Sequence, residues 1–139
     1  MNEKIEERIM EKMEILIDRI EFINENISDE MVENRILKKA LYKEFQEAIE
    51  AMTDICALIR RGLNSSAKDD YTNIDFLVEK KVIGSKTGKK MKEANGLRNR
   101  LVHEYDGLND MLAYESMKEL VNHLKSFSQE VLKWMKKES

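Results

Sequence analysis

The chain has 139 residues, no proline, five glycines and a single cysteine, and 37% of its residues are charged, with a formal net charge of −3. Such a chain suits one all-α domain over residues 1–139, with a core of Ile, Leu, Val and Met. The numbers exclude an intrachain disulfide framework and a uniformly basic, indiscriminate nucleic-acid binder.

Residues 3–27 place Ile5, Ile9, Met13, Leu16, Ile20, Ile23 and Ile27 at gaps of three and four, which predicts an amphipathic first helix. A strict stripe of this kind also suits a coiled coil with a partner. The opening MNEKIEERIM is charged and lacks the apolar centre of a signal peptide, and no apolar run reaches membrane-spanning length. The expectation is a cytoplasmic protein with no membrane partner. Ser28, Asp29 and Asn34 offer turn and N-cap chemistry. A second stripe, Leu37, Leu41, Phe45, Ala48, Met52, Ile55 and Ile59, predicts a helix antiparallel to the first, closed by Gly62 as a C-cap. Cys56 lies inside this apolar stretch and reads as a buried thiol.

Residues 64–70 read as the longest loop. A short helix is expected over 72–82, capped by Thr72 or Asn73, with Ile74, Leu77, Val78 and Val82 inward. Gly84 to Lys90 superficially resembles a phosphate loop, but its order and spacing are wrong, and it reads as a turn. A helix over about 87–105 then carries Met91, Ala94, Leu97 and Leu101 inward and stops at Asp106-Gly107. Asn109 or Asp110 caps a last helix with Met117, Leu120, Leu124, Phe127, Val131 and Met135. The sum is four main helices plus one short one in an antiparallel bundle.

Charge is unevenly spread. Residues 1–54 carry fifteen acids and eight bases, whereas residues 80–100 carry eight bases and only Glu93 as an acid. Lys89, Lys90, Lys92 and Arg100 are therefore candidate RNA-binding residues, the alternative being a solvated lysine face. The basic segment leads into Arg98-Asn99-Arg100-Leu101-Val102-His103-Glu104-Tyr105. An Arg grips phosphate with a planar fork, and a His moves a proton near neutral pH. That pair is a minimal kit for RNA cleavage without a metal: proton removal from the 2′-OH, attack on phosphorus, protonation of the leaving 5′-oxygen. Asn99 and His103 share a helix face, but Arg98 and His103 stand about 7.5 Å apart along the axis and about 140° around it. Two copies of the helix across a two-fold axis would solve this, so the motif suggests a homodimer. Structural roles stay open: Arg98 bridging Asp106 or an acid of the first helix, His103 capping a carbonyl. His123 reads as structural. The spacing of His103 and His123 matches no metal-binding pattern, and no cofactor is expected.

The string Gly96 to Tyr105 resembles the R-x-x-x-x-H-x-Y signature of the HEPN superfamily, and most closely its HepT-like branch, the toxin halves of MNT–HEPN toxin–antitoxin pairs. Residues 39–55 resemble that branch as well. The resemblance implies a homodimeric helical bundle and a metal-independent endoribonuclease of a type II or type VII-like pair. Arg98, His103 and Asn99 would carry the chemistry in a cleft at the dimer interface. It also implies a minimal nucleotidyltransferase (MNT) as antitoxin, able to transfer AMP to Tyr105, so that an anionic adduct blocks RNA. The alternative is a non-catalytic HEPN subunit that binds or regulates the nucleotidyltransferase. The acidic first helix, with Glu3, Glu7 and Glu14, is no obvious RNA binder, and under the toxin reading it would dock the antitoxin or lie away from the cleft.

Overall fold

The computed structural model describes residues 1–103 and 107–138. Five α-helices follow one another: α1 Glu3–Asn26, α2 Arg35–Gly62, α3 Asp70–Glu79, α4 Ser85–His103 and α5 Asp110–Glu138, with a 3-10 turn at Asp29–Val32 between α1 and α2. The periodic stripes become the core. Ile9, Met13, Leu16, Ile20 and Ile23 of α1 are buried, and Leu41, Phe45, Ala48, Met52, Ile55 and Ile59 of α2 are buried with them. The α1 stripe is thus satisfied within the chain, against α2 and α5, which removes the need for a coiled-coil partner. Cys56 is fully buried, and burial pushes its thiol well above the ordinary range.

Several helix ends differ from expectation, each for a local reason. The 3-10 turn has no stripe to announce it, yet it plugs fully buried Met31 into the core. Gly62 is the last residue of α2 rather than its cap. Asn64 takes the left-handed position at φ 63°, and Ser65 N–H donates to the Arg60 carbonyl at 3.1 Å. The cap of α3 is Asp69, whose carboxylate accepts from Thr72 N–H at 2.9 Å. Neither Thr72 nor Asn73 caps: Asn73 is buried and ties the preceding loop, accepting from Lys68 N–H at 2.8 Å and donating to its carbonyl at 3.0 Å. Helix α3 closes with Lys81 in the left-handed region at φ 61°, and Val82 N–H donates to the Leu77 carbonyl at 2.9 Å.

The segment read as a turn is largely helix. Residues Ser85–Lys90 form the first turns of α4, with only Gly84 before them. Glu130 of α5 organises this start: Gly84 N–H donates to its Oε1 at 2.7 Å, and the Thr87 hydroxyl donates to its Oε2. The first is the carboxylate-to-N-cap N–H bond of a capping box, supplied here by a distant residue. Gly88 is needed for packing. A Cβ there would overlap the Val78 side chain, so the missing side chain lets α4 lie close on α3. Helix α4 is thereby wedged between α3, α5 and α2, with Met91, Ala94, Leu97 and Leu101 inward.

Candidate functional site

Helix α4 presents Arg98, Asn99, Arg100 and His103 in its last two turns. Arg98 is half-buried and points toward α2. Its Nη1 donates to Asn99 Oδ1 at 3.2 Å, and its Nη2 stands 3.5 Å from Glu50 Oε2. The partner is thus an acid of α2, not of α1. The contact is loose. Arg98 Nε and Glu50 Oε2 are both buried yet have no hydrogen-bond partner among the described residues. A carboxylate that closed on the Nε–Nη2 edge would make two parallel bonds; Glu50 makes none of hydrogen-bond quality.

The surroundings of Arg98 are acidic. Asp70, at the first turn of α3, is raised by burial and by the charges of Asp54 and Asp69, while Arg98 pulls it down. Asp54 lies one turn beyond Glu50 on α2 and is paired with Lys12 of α1 at 3.1 Å. Glu50 carries no sequence signal, because its link to Arg98 joins positions 48 residues apart. A scan for acids on the α2 face that packs on α4 could have found it.

His103 is exposed, and its imidazole has no hydrogen bond or ion pair among the described residues. It does not cap a described carbonyl. Asn99 lies one turn before it on the same face, so the polar edge of α4 runs from Asn99 to His103. Of the four candidate RNA-binding residues, two are already paired. Lys90 reaches Glu119 at 2.6 Å and Glu93 at 3.4 Å, and Lys92 reaches Asp75 at 2.8 Å. Lys89 and Arg100 are exposed and have no carboxylate partner among the described residues. Tyr105 and Asp106 lie outside the described residues, so the modification site and the Arg98–Asp106 bridge have no structural account. His123 stands 3.7 Å from Glu119, one turn away on α5. Among the described residues, no group of three or more His, Cys, Asp or Glu side chains is placed to share a metal ion. No helix among the described residues is long and apolar enough to cross a membrane.

The end of the bundle that carries His103 is also where large apolar side chains are exposed. Val102 of α4, Met111 and Leu112 of α5 and Ile36 of α2 are 40%, 43%, 59% and 84% accessible. Asp110 ties these starts together, accepting from the Tyr42 hydroxyl at 2.5 Å and from Lys38 Nζ at 2.9 Å.

Comparison with known proteins places this arrangement. The chain is 32% identical over 122 residues to a candidate RNase of Archaeoglobus fulgidus, an alignment covering 86% of this chain and 92% of the relative. In fold it is similar to the tri-AMPylated HEPN toxin of Shewanella oneidensis in complex with MNT antitoxin, at TM-score 0.82 and 21% identity, covering 94% and 98% of the two chains. It is likewise similar to the cytosolic protein YutE of Bacillus subtilis, at TM-score 0.84 and 19% identity, covering 96% and 92%. The model of the family described as ribonuclease HepT-like matches residues 13–131, nearly the whole bundle, and the chain belongs to that HepT-like family.

Proposed function

We propose that this protein is a metal-independent endoribonuclease toxin that works as a homodimer and is neutralised by an MNT-type nucleotidyltransferase. The observation that carries this reading is the division of labour on α4. Arg98 is oriented by Asn99 and meets Glu50 of α2 only through one long contact, while His103, five residues on, is exposed and its imidazole has no partner among the described residues. An oriented guanidinium stabilises charge that grows on a phosphorane, and a solvent-facing imidazole exchanges protons with the 2′-OH and the leaving 5′-oxygen. Asn99 sets the Arg98 fork, Lys89 and Arg100 draw the RNA backbone, and Lys90 and Lys92 contribute through their remaining field.

One helix does not focus Arg98 and His103 on one phosphorus, so the cleft is shared between two copies. The exposed apolar groups beside His103, Val102, Met111 and Leu112, supply the surface on which the copies meet. Transfer of AMP to Tyr105, two residues beyond His103, would set a phosphate at the cleft and repel RNA. Support comes from family membership and from the solved toxin–antitoxin complex with the same fold.

The test is RNA cleavage by protein purified without its partner. Activity is expected to survive EDTA and to leave 2′,3′-cyclic phosphate ends. His103→Ala should abolish it while leaving the melting temperature unchanged, since the imidazole has no described partner to lose. Cleavage by His103→Ala at the wild-type rate sinks the proposal. A second reading, a non-catalytic subunit of a nucleotidyltransferase, draws on the acidic surroundings of Arg98. It requires that the unmodified protein form the complex and turn over no RNA. Mass spectrometry of protein made with and without the partner would show added AMP at Tyr105 under the first reading.

A further inference from the structure

The Arg98–Glu50 contact is incomplete in an informative way. A guanidinium binds an oxyanion best through one edge, and the side edge of Arg98 consists of Nε and Nη2. One of its two atoms, Nη2, is turned to Glu50. Nη2 lies 3.5 Å from Glu50 Oε2, while Nε is buried and unpartnered. The end of the fork is partly used as well, because Nη1 donates to Asn99. An RNA phosphate that takes two parallel bonds from Arg98 therefore needs the edge that Glu50 occupies loosely. A phosphate and a carboxylate cannot share it: both are anions, and Asp70 lies close enough to add to the repulsion.

We infer that Glu50 is an internal competitor for the phosphate-binding edge of Arg98, setting how tightly the site takes RNA by occupying that edge when RNA is absent. The inference rests on the ribonuclease reading of the site and adds a residue to it. Glu50 is not a catalytic residue here: it touches Arg98, not the substrate, and acts on affinity. The looseness of the contact fits this role. Two bonds of full strength would lock Arg98, whereas one long ion pair with two unsatisfied atoms is readily displaced. Asn99 stays bound to Nη1 and keeps the fork oriented as Glu50 leaves.

The substitution Glu50→Gln tests this, since it removes the charge, keeps the size and sits at a partly exposed position. KM for RNA is expected to fall by about threefold to fivefold, the range of one partly exposed ion pair. The kcat should stay within about twofold. Asp54→Asn is the control for bulk charge, because it removes a neighbouring negative group paired with Lys12 and not with Arg98. Affinity for a 2′-O-methyl oligoribonucleotide, which cannot be cleaved, is measured alongside, in wild type and in an Arg98→Ala background. Tighter binding by Glu50→Gln that vanishes with Arg98→Ala supports the inference. Unchanged or weaker binding overturns it, a fall in kcat overturns it in favour of a positioning role, and equal tightening by Asp54→Asn overturns it in favour of bulk charge. Failure of wild type to cleave any RNA would instead overturn the ribonuclease reading, and the binding arm would still judge Glu50.

Discussion

Asp110 shows how single side chains hold the end of the bundle that carries His103. Burial alone would push its carboxyl up, but hydrogen bonds from the Tyr42 hydroxyl and Lys38 outweigh that and hold it below the ordinary carboxylate range. A carboxyl depressed in the folded state stabilises the fold above its unfolded value, near pH 4, and that contribution is lost as the pH falls through the folded value. Asp110→Asn should therefore lower the urea midpoint at pH 7, and the gap to wild type should narrow by pH 3. A gap of equal size at both pH values would show that the charge of Asp110 is not what binds α5 to α2. The chemistry-bearing residues were legible in the sequence because Arg98, Asn99 and His103 are local on one helix. Glu50 and the Asp110 clasp were not, because each joins residues far apart in the chain.

At the scale of elements, spacing predicted the inward faces well, since burial follows the 3.6-residue period that the apolar residues obey. Helix ends were harder, because caps depend on a single local geometry that several residue types can supply. Asp69 replaced Thr72 and Asn73 as the cap of α3, Asn64 took the left-handed position in place of Gly62 after α2, and Lys81 took one at the end of α3. Gly88 read as a turn residue, whereas it is the close-approach point of two helices. Lys81 offers a test. An L-residue at φ 61° is strained where glycine is not, and the Lys81 side chain is exposed. Lys81→Gly should raise stability by about 0.5–1 kcal/mol, measured as a higher urea midpoint at constant slope. A lower midpoint would mean that unfolded-chain entropy outweighs the relief of strain.

At the scale of the molecule, the proposed shared cleft makes a prediction that no single-chain site makes. Mixing inactive Arg98→Ala and His103→Ala subunits, after dissociation and reassembly, should restore about a quarter of wild-type activity. Half the dimers are then mixed, and each mixed dimer holds one intact Arg98–His103 pair. No recovery would place both groups of a working site in the same chain. The pairing itself was inferred from the angle between two residues on one helix, while the surface that would serve it came into view only once Val102, Met111, Leu112 and Ile36 were seen exposed at one end.

The cap on α4 has a consequence for the timing of synthesis. The carboxylate that closes the first turn of the motif-bearing helix belongs to Glu130, near the C-terminus. A ribosome that has translated through His103 has made every residue of the proposed chemistry, but not yet the residue that caps their helix. The nascent chain therefore carries the motif on a helix whose start is unfastened until α5 emerges and docks. The helix of the proposed chemistry is thus fastened only after α5 docks, and a chain released early, before residue 130, lacks that fastening.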